Sequence, residues 1–101
     1  MPLVKVKSLS EIPPGSVTEL EVGDAVYAVC NVGGKFHCVD GICPHEGGPL
    51  GQGALHGSTL VCPWHGWEFD ACTGACQVGE DEHLKTYPVH LQGDQVFVEL
   101  P

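Results

Sequence analysis

Apolar and polar positions alternate with a period of two at Val4-Lys5-Val6-Lys7, and more loosely along Val17-Thr18-Glu19-Leu20-Glu21-Val22, which predicts two half-buried β-strands. From Ala25 to Val32 the chain is apolar on both faces, the pattern of a strand covered from both sides. Gly33-Gly34 then predicts a hairpin turn into Lys35-Phe36-His37-Cys38-Val39. A second hairpin is predicted from Leu84 to Leu91, through Gly93-Asp94, into Val96-Phe97-Val98-Glu99-Leu100, with Pro88 pushing its first strand towards a sheet edge. No stretch sustains a 3.6-residue period. Ser10-Glu11-Ile12 can start a helical turn, but Pro13-Pro14-Gly15 stops it almost at once. The expected fold class is all-β.

Composition sharpens this picture. With 101 residues the chain supports one domain, 1–101, and its 14 glycines and 8 prolines punctuate short apolar runs as many short strands require. Around residues 41–70 the glycines and prolines crowd about Cys43, His45, Cys62 and His65, so this segment reads as a subdomain inserted into the β scaffold. Four Lys and no Arg stand against 13 acidic residues, a formal charge of -9. That balance argues against phosphate backbones and anionic membranes as partners. The acidity is lopsided: from Phe36 to Leu84 there is no Lys or Arg, while Asp40, Glu46, Glu68, Asp70, Glu80, Asp81 and Glu82 supply seven acids. Such a field suits docking to basic partners, although it is also the pattern of a surface that merely aids solubility. No run of eighteen apolar residues occurs, and the N-terminus lacks a signal-peptide hydrophobic region, so a soluble, cytoplasmic protein is expected.

The six cysteines are Cys30, Cys38, Cys43, Cys62, Cys72 and Cys76. An even count in a short chain fits a secreted disulfide framework, but there is no secretion signal, and two of the cysteines are paired with histidines among Pro and Gly. Cys43-Pro44-His45 and Cys62-Pro63-Trp64-His65 are separated by sixteen residues, 46–61. Two Cys/His pairs on two loops are close enough for one metal site, and the prolines and glycines favour a tight backbone with free N–H groups.

This spacing resembles the Rieske motif, and the surrounding text, Glu46-Gly47-Gly48-Pro49-Leu50 and Gly66-Trp67-Glu68-Phe69-Asp70, strengthens the likeness. The resemblance implies an antiparallel β-sandwich or barrel with an inserted cluster-binding subdomain of two loops. It also implies one [2Fe-2S] cluster, with Cys43 and Cys62 on one iron and His45 and His65 on the other. Two ferric ions then balance two sulfides and two thiolates, so the oxidised cluster is formally neutral and accepts an electron more easily than one held by four thiolates. In the family the histidines present their second ring nitrogen at the protein tip, as an electron exit and a site where proton loss can couple to oxidation.

The departures from the family's high-potential branch carry further meaning. That branch has a further cysteine in each loop, joined by a disulfide; the corresponding positions here are Gly48 and Trp64. It also has a serine and a tyrosine after the second histidine, whose hydroxyls bond to cluster or ligand sulfur; Trp67 and Phe69 stand in those places. Missing donors predict the low end of the Rieske range, roughly -150 mV, and Phe69→Tyr and Trp67→Ser should each raise the midpoint. Gly47, Gly48 and Gly66 either let backbone amides approach the sulfides or simply make turns. Pro44, Pro49, Pro63 and Trp64 either cap the cluster or fill a small core.

The remaining histidines, His37, His56, His83 and His90, read as ordinary exposed or hydrogen-bonded side chains, and Cys30 and Cys38 as small buried hydrophobes. Cys72 and Cys76 are left as free thiols, a redox-labile pair or ligands of an adventitious metal. The resemblance implies an electron carrier and not an enzyme, passing electrons from a flavin-containing, NAD(P)H-dependent ferredoxin reductase to a terminal oxygenase such as a ring-hydroxylating dioxygenase. The alternatives are the Rieske small subunit of a nitrite reductase or other redox enzyme, and a structural zinc module using the same four ligands.

Overall fold

The computed structural model describes residues 3–43, 47–64, 66–76 and 83–100. Among these the strands are β1 (Leu3–Ser8), β2 (Val17–Val22), β3 (Ala25–Val32), β4 (Lys35–Asp40), β5 (Ala54–His56), β6 (Thr59–Val61), β7 (Glu68–Asp70), β8 (Thr86–Tyr87), β9 (Val89–Gln92) and β10 (Gln95–Glu99). They form three antiparallel sheets, ordered β1-β10-β9, β2-β3-β4-β8 and β5-β6-β7. No described helix is long and apolar enough to cross a membrane.

The two-faced apolar run of β3 places it in the middle layer. Ala28 and Cys30 turn into one buried cluster with Val39, Leu60 and Phe69, whereas Tyr27 and Val29 turn into another with Cys38, Val96 and Val98. A period-two strand whose alternate residues meet different cores must be sandwiched, which is why polar residues are nearly absent from it. The exception is Asn31, buried at the end of β3: its Nδ2 donates to Ile12 O at 2.6 Å and its Oδ1 accepts from Gly34 N–H at 2.7 Å. It satisfies both ends of its amide while pinning the 9–12 segment, where the expected helical turn is a single 3-10 turn, Leu9–Glu11.

The turn at Gly33-Gly34 joins β3 to β4, and Gly93-Asp94 joins β9 to β10, as expected from the chain. The strand expected from Leu84 to Leu91 is, by contrast, divided. Thr86 and Tyr87 pair with Val39 and Cys38 of the middle sheet; Pro88 then ends that ladder, having no N–H to extend it, and β9 continues in the outer sheet. Both pieces lie at sheet edges. The β5-β6-β7 sheet within 41–70 is an addition to the expected two loops.

Burial pushes the Cys30 and Cys38 thiols from the ordinary value of 9.0 up to about 12. An unfolded thiol ionises near 9 while the folded one keeps its proton, so between the two values the native state binds more protons and stability falls as pH rises. The slope is at most about 1.4 kcal/mol per pH unit for each thiol. Thermal melts of the holo-protein should show Tm falling between pH 9 and 12, and Cys30→Ala combined with Cys38→Ala should flatten that fall; equal slopes in both proteins would contradict the assignment.

Candidate metal centre

Each motif cysteine opens a closed loop. The first loop is fastened at its base, where Leu50 N–H donates to Gly41 O at 2.9 Å and Ile42 pairs with Pro49. Inside it, Cys43 N–H donates to Gly48 O at 2.9 Å and Cys43 O accepts from Gly47 N–H at 2.7 Å, which sets Cys43 beside both glycines. The second loop connects β6 to β7, and Cys62 N–H donates to Trp67 O across its mouth at 2.8 Å. Both sulfurs are thereby turned inward: Cys43 and Cys62 are each 1% exposed and belong to the same buried cluster as Leu50, Leu60 and Phe69.

Two supports set the position of these loops. Asp40, the last residue of β4, accepts Lys85 N–H at 2.9 Å and the Tyr87 hydroxyl at 2.6 Å, fixing the strand end that leads into Gly41. Burial and the Asp40 carboxylate hold the Tyr87 phenol protonated above its ordinary range. After the first loop, the 3-10 turn Leu50–Gln52 runs over β2, with Gln52 Nε2 donating to Glu19 Oε1 at 3.3 Å. Gly53 then lies so close to Val61 O and Pro63 that no Cβ fits, which brings the end of the first loop onto the start of the second.

The three loop glycines separate into two kinds. Gly47 and Gly66 have φ of +75° and +71° with open space around them, and so serve as turns. Gly48 has an ordinary φ, but a Cβ on it would sit 2.7 Å from Cys62 Sγ and 3.0 Å from Trp64 Cγ. Its bare Cα lets the first loop touch both the sulfur and the indole of the second. Gly48 and Trp64 therefore meet across the loops at the two positions where the high-potential branch has its disulfide.

None of the six cysteines, the buried Cys43 and Cys62 included, forms a disulfide. Cys62 Sγ accepts the Trp64 backbone N–H at 3.4 Å. Two buried, unbridged thiols, one with an amide directed at it and a glycine opening space beside it, fit soft anionic metal ligands better than packing groups. His45 and His65, with Pro44 and Glu46, lie outside the described residues. Among the described residues no group of three or more metal-ligating side chains gathers.

The other sites fall out as follows. Cys30 and Cys38 are buried in the two cores. Cys72 is exposed, with its sulfur 3.4 Å from His37 Nε2; its thiol is raised by desolvation and by Asp70. Cys76 packs beside the motif core, bridged to Phe69. His90 meets Glu99 at 3.3 Å on the exposed face of the outer sheet. A cleft of about 340 Å³ opens between His37, Cys72, Tyr87 and Pro88, and no motif cysteine lines it. The Asp40–Tyr87 support was not apparent from the sequence, because its two partners are distant along the chain.

Phe69 is fully buried in β7 within the motif core. Phe69→Tyr should introduce a hydroxyl there and raise the midpoint potential: a bond strengthened by about 2 kcal/mol on reduction corresponds to roughly 80 mV for one electron. A redox titration of the two proteins decides it, and equal midpoints would defeat the hydrogen-bond explanation of low potential.

Residues 2–88 match the Rieske [2Fe-2S] domain family. The chain is 35% identical over 94 residues to the ferredoxin component of a naphthalene 1,2-dioxygenase system from Pseudomonas aeruginosa, covering 92% of this chain and 90% of that one. Its structure superposes on the Sphingomonas yanoikuyae B1 ferredoxin with a TM-score of 0.89, at 27% identity over 99% of this chain and 100% of that one. A chain of the complex of reduced oxygenase and oxidized ferredoxin in carbazole 1,9a-dioxygenase superposes with a TM-score of 0.87, at 32% identity, covering 95% and 91%. The two-loop architecture, the buried unbridged thiols and these likenesses agree, and the chain belongs to the Rieske [2Fe-2S] domain family, whose group is one [2Fe-2S] cluster.

Proposed function

We propose that this protein is a one-electron carrier that receives electrons from an NAD(P)H-dependent, flavin-containing reductase and delivers them to a terminal oxygenase of the ring-hydroxylating type. The observation that carries the reading is the pair of buried motif cysteines, neither in a disulfide, on two adjoining loops, in a chain that matches dioxygenase ferredoxin components over nine-tenths of its length. Cys43 and Cys62 hold one iron, His45 and His65 the other, and the cluster when bound takes up and releases one electron. The chain's own residues exclude water from the sulfurs, direct an amide at Cys62 and hold the two loops in register. Residues 1–101 act as one Rieske domain with the cluster carried by 41–70, and the protein works in the cytoplasm. It catalyses no reaction alone.

The test is direct. The anaerobically purified protein, reduced with dithionite, should give the EPR signal of a mixed-ligand [2Fe-2S] cluster and should stimulate NADH-dependent turnover when added to the reductase and oxygenase of a naphthalene dioxygenase system. The rate should fall as ionic strength rises, because seven acids and no Lys or Arg lie between Phe36 and Leu84. An EPR-silent, zinc-loaded protein would instead establish the structural-module reading, and copurification with a large catalytic chain the nitrite reductase one.

A further inference from the structure

The cleft beside β4 and β8 holds a second pair of metal-ligating side chains. His37 belongs to β4, whose backbone is fixed on both sides: His37 pairs with Cys30 of β3, and the next residue, Cys38, with Tyr87 of β8. Cys72 lies in the turn that follows β7. Asp70 Oδ1 holds that turn by accepting Cys72 N–H at 2.7 Å and Thr73 N–H at 3.2 Å. The two side chains, 35 residues apart in sequence, bring Cys72 Sγ to 3.4 Å from His37 Nε2. A thiolate bound at about 2.3 Å and an imidazole nitrogen at about 2.0–2.1 Å to one tetrahedral zinc ion stand about 3.5 Å apart. The pair therefore has the spacing of two neighbouring ligands, on a backbone that fixes both.

A thiol–imidazole hydrogen bond has a similar length, so the surroundings decide between a ligand pair and a packing contact. Cys72 is exposed, and the pair lines a cleft of about 340 Å³, which has room for several waters. Desolvation first, and then the Asp70 carboxylate, raise the Cys72 thiol, while Lys35 opposes them. A carboxylate beside the sulfur disfavours a bare thiolate and favours a bound cation, whose charge offsets both anions.

We infer that Cys72 and His37 form a second metal site, separate from the two-loop centre, that takes zinc or a similar d10 divalent ion through the sulfur and Nε2. Thiolate and imidazole together suit such an ion. Two protein donors leave the other positions of a tetrahedral ion open to the cleft, for water or a small donor molecule. On binding, the thiol gives its proton to solvent, and the imidazole binds as the neutral ring with its proton on Nδ1. No motif cysteine lines the cleft, so the ion and the iron do not compete for ligands.

The experiment dialyses the iron-loaded holo-protein anaerobically against micromolar zinc chloride and measures zinc and iron in the same sample. The wild-type protein should gain one zinc per chain with its iron unchanged. Loss of an outer-sphere partner already costs metal affinity about 10–100-fold, so Cys72→Ser and His37→Gln should each weaken uptake by about tenfold or more. Zinc should also slow iodoacetamide labelling of Cys72 in the wild-type protein, read by peptide mass, which needs no variant to fold. No zinc beyond the iron, equal uptake in the wild-type protein and both variants, or an unchanged labelling rate of Cys72 would each overturn the inference. Zinc gained only as iron is lost would overturn it too, by placing the ion in the motif.

Discussion

Cys62→Ser, and equally Cys43→Ser, should give a protein that loses its visible absorbance and its iron and acid-labile sulfide together. A serine hydroxyl is a hard, neutral group at any working pH, whereas the iron of a [2Fe-2S] cluster is held by soft thiolates. Nor can solvent stand in for the missing ligand, because both positions are 1% exposed and enclosed by Leu50, Leu60 and Phe69. Loss of an outer-sphere partner costs metal affinity roughly 10–100-fold, and loss of a direct ligand should exceed that. Cys72→Ser supplies the contrast: this cysteine is exposed beside His37, outside the motif core, and its substitution should leave iron content unchanged. Iron and sulfide analysis of the three variants checks the assignment, and full iron retention in Cys62→Ser would falsify it.

Gly48→Ala should damage the metal centre where Gly47→Ala does not. The two glycines are adjacent, but their reasons for lacking a side chain differ. At Gly47 a methyl meets open space and the cost is the left-handed backbone alone, about 1–2 kcal/mol. At Gly48 the backbone is unstrained, and the methyl would lie 2.7 Å from Cys62 Sγ and 3.0 Å from Trp64 Cγ. One of the two must move, at an overpacking cost of roughly 1–3 kcal/mol. Moving the sulfur displaces a ligand, so the visible spectrum should change and the cluster should bleach faster in air. Moving the indole opens the flank of the site to water, with the same outcome. Gly47→Ala should lower Tm with an unaltered spectrum. Identical spectra and bleaching rates in both variants would mean that Gly48, too, is only a turn residue.

The parts of this molecule that could be read from the chain are those whose cause is local. The apolar run of β3 shows its two faces directly, and the structure puts a different core against each. The Gly33-Gly34 and Gly93-Asp94 turns carry their own backbone requirement, and the two Cys/His pairs announce a metal site by spacing. What escaped depends on partners far away in sequence. β5, β6 and β7 have three residues each, too few for a period to emerge among glycines and prolines. The division at Pro88 was readable as an edge but not as a change of sheet, since that depends on where β10 lies. The distinction between Gly47 and Gly48 likewise needs the second loop in place. Cys43 and Cys62 lie buried in one cluster, while His45 and His65 fall outside the described residues.

Where the related branch joins its loops by a sulfur–sulfur bond, Gly48 and the Trp64 ring meet across them here. A contact of that sort has no redox state of its own. Glutathione, dithiothreitol or a thioredoxin can neither open nor close it, so this contact persists under strongly reducing conditions.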